Sequence, residues 1–132
     1  MKRIQRKRTK GWIKPNNSII VDRTSKYGNP IKIIGNFIFV NAKYRRKFLD
    51  KWVILDEKKQ NPTIDDVLLI YKSLITGDLS KLKKELKYNK DVLYWKNYYS
   101  RLDFSALKGK DLICFCSLNK KCHADILLQL FN

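Results

Sequence analysis

The sequence predicts a small single domain of the α/β or α+β class, built on one central sheet of few strands. Strand-like and helix-like segments are interspersed along the chain, and this order favours a sheet flanked by helices. The 132 residues are 44% hydrophobic and 12% aromatic, which is enough for one buried core. We predict a basic N-terminal arm at residues 1–17 and a domain at 18–132 with a basic helical insert at 55–100.

Three strands are predicted in the first third of the chain. The segment SIIVD at 18–22 is a short β-branched run between turn-forming residues, which is typical of a buried strand. IKII at 31–34 and FIFV at 37–40 flank Gly35 and Asn36, and this two-residue turn predicts an N-terminal hairpin. Pro15 and the two asparagines after it end any helix in the arm.

A first helix is predicted over residues 41–55. Apolar side chains recur there at steps of three or four, which places them on one face, and the basic residues fall elsewhere. The apolar positions are Tyr44, Phe48, Leu49, Trp52 and Leu55.

Two further helical segments follow. Thr63 and Asp66 have the spacing of a helix N-cap and its partner, and Gly77 ends the same helix. Residues 79–102 predict one helix or two, in which basic and aromatic residues are interleaved.

The C-terminal part predicts a strand, a cysteine-rich loop and a closing helix. Leu112, Ile113 and Phe115 are the apolar residues of the strand, and ADILLQLF at 124–131 is a short amphipathic helix. The loop between them, CFCSLNKKCH at 114–123, contains all three cysteines and the single histidine. Ligands and catalytic groups gather at the carboxyl ends of strands in open sheets, so this loop is the first candidate site.

Three explanations of this cluster remain open on the sequence alone. In the first, Zn²⁺ is bound by Cys114, Cys116, Cys122 and His123, the ligand count of closed structural sites. The usual spacing of such ligands is C-x₂-C, and the C-x-C spacing here and the adjacent ligands Cys122 and His123 fit that pattern less well. In the second, the loop is a metal-free site in which Cys122 is activated near a helix N-terminus and His123 acts as acid, base or anchor. In the third, the cysteines are core residues and His123 caps the helix.

A second candidate is the loop VDRTSKYGNP at 21–30. Arg23 and Lys26 are suited to bind a phosphate or carboxylate, Thr24 adds a hydroxyl, and Gly28 allows close approach of the backbone to a ligand. The same residues also fit an ordinary surface loop that ends in a rigid turn.

The charge predicts polyanionic partners. The chain has 29 basic and 12 acidic residues, a formal net charge of +17, and a field of this strength attracts nucleic acid. A lysine-rich composition explains part of the excess of positive charge. The alternative for the basic helical segments is that they are solvated helix faces, and the alternative for Trp12 is packing at the edge of the core. The candidate nucleic-acid contacts are Arg3, Arg6, Lys7, Arg8, Lys10, Trp12, Arg45 and Arg46.

The remaining composition predicts an intracellular protein. No apolar run reaches the roughly 20 residues of a membrane span, and the basic N-terminus lacks the apolar stretch of a secretory signal. Three cysteines are an odd number, which argues against a closed set of disulfides. We expect a cytoplasmic location, in the host cell of a virus or phage, or in the nucleus of a eukaryotic host.

The chain resembles a widespread family of uncharacterised domains from bacteriophages, bacteria and large viruses. The resemblance covers residues 8–40 and 101–131 and does not explain 55–100. At the N-terminal end it rests on Arg8, Lys10, Gly11, Trp12, Pro15, Val21, Arg23, Thr24, Tyr27, Gly28, Asn29 and Pro30. At the C-terminal end it rests on Leu107, Gly109, Lys110, Leu112, Cys114, Cys116, Cys122, His123, Asp125 and Leu127. Tyr27 replaces a more common tryptophan and keeps the aromatic surface.

The resemblance implies that the two loops form one functional unit. We expect them to bind a nucleotide or nucleic-acid component, and the expected ligand contacts are Arg23, Thr24, Lys26, Gly28, Asn29 and Cys116. Candidate catalytic residues are Cys122, His123 and Asp125, although the signatures of zinc deaminases, P-loop proteins and dinucleotide-binding folds are absent. The alternative is a sequence-nonspecific nucleic-acid-binding protein with a structural zinc or thiol cluster.

Overall fold

The part of the chain described by a computed structural model, residues 1–45 and 51–132, has the α+β architecture predicted from the sequence. Its strands form two three-stranded sheets, where the sequence predicts one central sheet. The strands are β1 (Arg3–Gln5), β2 (Ser18–Ile20), β3 (Ile31–Ile34), β4 (Phe37–Asn41), β5 (Trp52–Asp56) and β6 (Asp111–Cys114). The helices are α1 (Ile64–Thr76), α2 (Lys84–Lys87), α3 (Lys90–Ser100) and α4 (His123–Phe131), and a 3-10 turn spans Phe104–Leu107.

Unit 1, residues 1–29 and 103–132, is built on a parallel sheet of order β1-β6-β2. The central strand β6 buries Leu112, Ile113 and Cys114 in succession, as expected for a parallel strand covered on both faces. Gln5 of β1 lies opposite Cys114, and Ile20 of β2 lies opposite Ile113. Because all three strands run in one direction, they end at the same edge of the sheet.

Strand β1 lies in the segment for which the sequence predicts only a basic arm. Its three residues include one apolar side chain, Ile4, which is too little for a strand pattern to be recognised. The strand forms because its backbone pairs with β6. The Leu112 amide donates to the Lys2 carbonyl over 2.9 Å, and the Arg6 amide donates to the Cys114 carbonyl over 2.6 Å.

Helix α4 covers this sheet by packing against β6 and β1. Its buried residues are His123, Ala124 and Leu127, which confirms the amphipathic helix predicted for this segment. At its end, the Phe131 ring stacks on Phe104 with 4.5 Å between centroids.

Unit 2, residues 30–102, is an antiparallel sheet of order β3-β4-β5 with helices α1 and α3 packed beside it. The predicted hairpin is confirmed, because Ile31 pairs with Val40 and Ile34 with Phe37 across a turn at Gly35. The φ of 60° at Gly35 is one that glycine adopts without steric cost.

The helix predicted over 41–55 is wrong in its described residues, because Asn41 ends strand β4, residues 43–45 form a turn and Trp52–Asp56 is strand β5. Val53 lies opposite Val40 of β4, and Trp52 lies opposite Asn41. Aromatic and β-branched side chains favour the extended state, and β4 provides the backbone partners, so pairing overrides the helical spacing. Phe48 and Leu49, two apolar positions of the predicted helix, lie outside the described residues.

Helix α1 begins and ends as the sequence predicts. The Thr63 amide donates to the Asp66 carboxylate over 2.7 Å, and the Asp66 amide donates back to the Thr63 hydroxyl over 3.4 Å. Gly77, with φ of 76°, donates its amide to the Ser73 carbonyl and ends the helix. The 79–102 segment divides into α2 and α3, and no described helix has the length and apolar character needed to cross a membrane.

A buried carboxylate on α3 holds the chain just before residue 46. Asp91, whose side chain is 4% exposed, accepts two hydrogen bonds of 2.9 Å from Arg45 and one of 2.6 Å from the Tyr44 hydroxyl. Burial raises the pKa of Asp91, but the hydrogen bonds from Arg45 and Tyr44 outweigh burial and lower that pKa below its ordinary value. Arg45 therefore has a structural role in unit 2.

We expect Asp91→Asn to lower the free energy of unfolding by about 1.5–3 kcal/mol at neutral pH, the usual contribution of hydrogen bonds to a charged group. The substitution removes the charge that Arg45 and Tyr44 bind. Urea unfolding of the full chain measures the loss, and Glu57→Gln, at an exposed carboxylate, is the matched control. A loss no larger than that of the control would contradict this role of Asp91.

The ion pair between Asp91 and Arg45 makes the free energy of unfolding depend on pH in the acid range. Because the pKa of Asp91 is lowered in the folded state, its carboxylate contributes fully to the free energy of unfolding above the unfolded carboxyl pKa of about 3.9. This contribution is lost as the pH falls through the folded pKa. The groups that lower the pKa of Asp91 are Arg45, Tyr44 and Lys90. The stability difference between the wild type and Asp91→Asn should shrink below about pH 4, and a constant difference there would contradict the assignment.

Candidate functional site

Three segments leave the parallel sheet of unit 1 at one edge and supply the candidate site. Arg6 follows β1, Val21 follows β2, and Phe115 follows β6. The carboxyl edge of a parallel sheet is where ligands bind in open α/β structures. The sheet therefore brings the loop at 21–30 and the loop at 114–123 to the same edge.

The three cysteine sulfurs converge at this edge. They all lie within 4.8 Å of one another, and the Cys114 and Cys122 sulfurs are 3.2 Å apart. Cys114 and Cys122 are each 1% exposed, and Cys116 is half-buried. Residues two apart on a strand share a face, and the sulfurs of Cys114 and Cys116 stay close although β6 ends at Cys114 and the chain bends at Phe115 and Cys116. The three thiols could hold a metal ion.

His123 lies beside this group without belonging to it. Its Nε2 lies 2.5 Å from the Val21 carbonyl, which only accepts, so Nε2 carries a proton. Nδ1 is 3.5 Å from the Cys122 sulfur. Among the described residues, the donor atoms that all converge within 4.8 Å are the three sulfurs alone. The structure thus gives three convergent ligands in place of the four predicted.

Arg3 organises the loop that carries the cysteines. Its side chain is 7% exposed, and Nη2 donates to the carbonyls of Ser117, Leu118 and Lys120 over 3.1, 2.9 and 2.7 Å. Burial lowers the pKa of Arg3, but the adjacent Cys122 thiol and Asp125 carboxylate raise it overall. Sequence reasoning assigned Arg3 to an exposed arm and missed this role. The sequence carried no signal for this role, because β1 itself is too short to be recognised from its pattern.

Asp125, a candidate catalytic residue, has structural contacts on both sides. Its carboxylate accepts the Cys122 amide over 3.0 Å at the start of α4 and lies 3.5 Å from Arg3 Nε. The acidic group thereby satisfies an amide at the helix N-terminus, where negative charge is stabilising. With 47% of its side chain exposed, it is the most accessible of the three catalytic candidates.

The pKa values of the thiols are pushed in opposite directions. Hydrogen bonds from Cys114 and Cys122, and the charges of Arg3 and Arg23, lower the pKa of Cys116. The hydrogen bonds that Cys114 makes with Cys116 and Cys122 raise the pKa of Cys114. Thiolates this close repel one another, so one ionises at the expense of another. A cation among the sulfurs would remove that conflict.

The loop at 21–30 is held by side chains of its own. Asp22, with 5% of its side chain exposed, accepts hydrogen bonds from the Thr24 amide over 2.9 Å, from the Thr24 hydroxyl, and from Arg6 over 2.7 Å. The Arg23 guanidinium donates to the Asn29 carbonyl. Burial raises the pKa of Asp22, but the bonds from Thr24 and Arg6 lower it overall. Sequence reasoning missed Asp22, although an acidic residue at a strand end was visible.

Gly28 is required by this loop rather than by a ligand. A Cβ added there would lie 2.6 Å from the Asp22 carbonyl oxygen and 2.6 Å from the Arg23 Cα. The loop folds back on itself, because the Ser25 amide donates to the Asp22 carbonyl and the Gly28 amide donates to the Ser25 carbonyl. No side chain fits between these backbone segments.

A pocket of about 290 Å³ opens between the two loops of unit 1. It brings together residues that the sequence singled out separately, among them Arg23, Thr24, Cys116 and His123. Lys26, Gly28 and Asn29 belong to the same loop but do not line it. The full lining is Arg8, Asp22, Arg23, Thr24, Cys114, Phe115, Cys116 and His123.

The predicted nucleic-acid contacts are distributed over different environments. Arg8 lies 4.3 Å and Arg6 5.0 Å from the centroid of the Phe115 ring, within cation–π range. Lys7 and Lys10 are exposed, and Trp12 is half-buried. Arg46 lies outside the described residues.

We expect Gly28→Ala to destabilise unit 1 by about 1–3 kcal/mol, because the added methyl group overpacks the turn against Asp22 and Arg23. Hydrogen exchange should rise across residues 22–29. Gly11→Ala is the control, since its φ of 87° is strained for alanine but its Cβ meets nothing within 4 Å. Equal effects of the two substitutions on residues 22–29 would contradict the close-packing argument.

Comparison with known proteins identifies the family of the chain. No curated protein and no solved structure matches it. Residues 4–132 match a domain of unknown function, DUF4326. The match spans all the elements described above except the first residue of β1, and includes both loops of the site. The chain therefore belongs to the DUF4326 family of domains of unknown function.

Proposed function

We propose that unit 1 binds a nucleotide or a nucleic-acid component in the pocket between its two loops. The observation that carries this proposal is the pocket lining, in which Arg8, Arg23, Thr24 and the Phe115 ring surround one space beside the thiols. Cationic and hydroxyl donors recognise phosphate, and a planar ring accompanied by a guanidinium is a surface on which bases stack.

The phosphate end of the ligand is assigned to the loop that follows β2. Arg23 is held at the pocket by its bond to the Asn29 carbonyl, and Thr24 is held by Asp22. Side chains fixed in this way lose little conformational entropy when a ligand binds, so more of the contact energy appears as affinity. Arg8 adds a second guanidinium to the same lining.

The base end is assigned to the half-buried Phe115 ring and the Arg8 guanidinium above it. The pocket volume of about 290 Å³ lies at the lower end of the range for small-molecule sites. A ligand of about one nucleotide therefore fits better than a dinucleotide. One nucleotide of a longer strand would fit the pocket volume equally well.

The thiol group supports zinc as a second component of the site. Tetrahedral zinc with Zn–S bonds of about 2.3 Å separates its sulfurs by roughly 3.8 Å, and the three sulfurs here already lie within 4.8 Å of one another. Thiolate ligands favour zinc over the hard cations magnesium and calcium. Cys114, Cys116 and Cys122 would hold the ion, which would relieve the repulsion among them.

Calorimetric titration of the protein with nucleoside monophosphates tests the pocket. We expect Arg8→Ala and Arg23→Ala each to weaken binding by about tenfold or more, since each removes a charged donor. Lys26→Ala, three residues from Arg23 but outside the pocket lining, should leave affinity within about twofold of the wild type. Equal affinities in all four proteins would contradict the assignment.

The same variants separate the pocket from general attraction to nucleic acid. Binding driven by phosphate contacts along a strand weakens steeply as salt rises, and it depends little on any one arginine. Oligonucleotide binding of that kind, with no measurable mononucleotide binding, would favour the alternative of a basic nucleic-acid-binding surface.

Elemental analysis of protein purified without chelator tests the metal. We expect about one zinc ion per chain in the wild type and a marked loss in Cys116→Ser and Cys122→Ser, because each removes one of three thiolate ligands. Ser117→Ala, next to Cys116 in the same loop, should retain the ion. Metal-free wild-type protein with three thiols open to a thiol reagent would overturn the zinc assignment and leave the nucleotide titration unaffected.

A further inference from the structure

We propose that the zinc held by the three cysteines has an exchangeable fourth coordination position that faces the pocket and binds an anionic donor atom of the ligand. This inference rests on the zinc and pocket assignments made above, and it adds that the two are one site. Closed structural zinc sites take four protein ligands, whereas sites with three protein ligands leave a position for water or substrate.

His123 is the obvious fourth ligand, and its geometry opposes that role. Its Nε2 donates to the Val21 carbonyl, a bond that metal-binding histidines also make, so this contact does not decide the role of the ring. Its Nδ1 approaches one sulfur, that of Cys122, at 3.5 Å. Among the described residues, the set of donors that converge within 4.8 Å excludes the His123 ring. This lack of convergence is the reason for assigning the fourth position to a ligand from the pocket.

The pocket reaches the sulfurs from one side. Cys114 and Cys116 contribute to its lining, together with Arg23 and Thr24, whereas Cys122 does not line it. A ligand in the pocket therefore meets the sulfur group at the face formed by Cys114 and Cys116. The fourth position of a tetrahedral ion is the one left on that open side.

The charges around the sulfurs favour an anionic donor from the pocket. Three thiolates and Zn²⁺ carry one net negative charge, and the buried Arg3 guanidinium lies between Cys122 and the Asp125 carboxylate, so it offsets the two only in part. Arg3 Nη1 is buried without a hydrogen-bond partner, so its charge is directed at its surroundings. On the pocket side, Arg8 and Arg23 add positive charge. An oxygen of a phosphate or carboxylate at the fourth position would be compensated by these two arginines.

Cobalt(II) spectroscopy of the full chain tests the open position without any enzymatic readout. Co²⁺ replaces Zn²⁺ at tetrahedral sites, and its visible bands respond to a change of one ligand. We expect the visible bands of the wild type to shift saturably when azide or inorganic phosphate is added. We expect the shift with phosphate to require a higher concentration in Arg23→Ala than in Lys26→Ala, because only Arg23 lines the pocket.

Variants of the candidate ligands provide the controls. Cys116→Ser should lower the sulfur-to-cobalt charge-transfer intensity by about one third, because one of three thiolates is lost. His123→Gln should leave the charge-transfer intensity and the azide response in place. Visible bands that do not shift with either anion in the wild type would overturn the proposal. So would a change of the bands in His123→Gln to those of a site that has lost one nitrogen ligand.

The outcomes also distinguish this proposal from those it rests on. Absence of cobalt binding would overturn both the open position and the zinc site. Nucleotide binding is tested separately, by its own titration. Cobalt bound with a fixed spectrum overturns the open position alone. Cobalt bands that respond to anions in a protein that binds no nucleotide support the open position and remove the nucleotide assignment.

Discussion

Parallel pairing of β1 and β2 with the two edges of β6 determines where everything functional in unit 1 can lie. Strands that run in one direction end at one edge, so the segments after Gln5, Ile20 and Cys114 are neighbours although they are far apart in sequence. Strand β6 can be buried on both faces because its residues are mostly apolar. Because of this pairing, the loop at 21–30 and the loop at 114–123 face each other.

Each loop at that edge is held by buried polar contacts, and this suits a preformed site. Arg3 binds three carbonyls of the cysteine loop, and Asp22 binds Thr24 and Arg6 in the other loop. Buried charges are tolerated only with such partners, since an unpaired charge in a protein interior is strongly destabilising. The contacts order both loops before any ligand arrives, so the pocket residues remain available for recognition.

Residues of the same type have different roles in this chain according to their position. Three arginines of the N-terminal segment illustrate this: Arg3 is buried against carbonyls, Arg6 pairs with Asp22, and Arg8 lines the pocket. In unit 2, Arg45 is paired with Asp91. The count of 29 basic residues therefore overstates the number of cations offered to a polyanion, because several of them bind partners within the fold.

The sequence by itself determined the features that depend on near neighbours. The hairpin at Gly35, the capped helix from Thr63 to Gly77, the strand at Leu112 and the helix after Cys122 follow from local turn, capping and periodicity signals. Grouping of the cysteines was also visible. Only the tertiary structure decided β1, β5 and the convergence of Cys122 with Cys114 and Cys116, because each depends on a distant pairing partner or on the path of the loop after β6. Local patterns carry no information about such partners, so the three-thiol geometry and the structural role of Arg3 appear only in the fold.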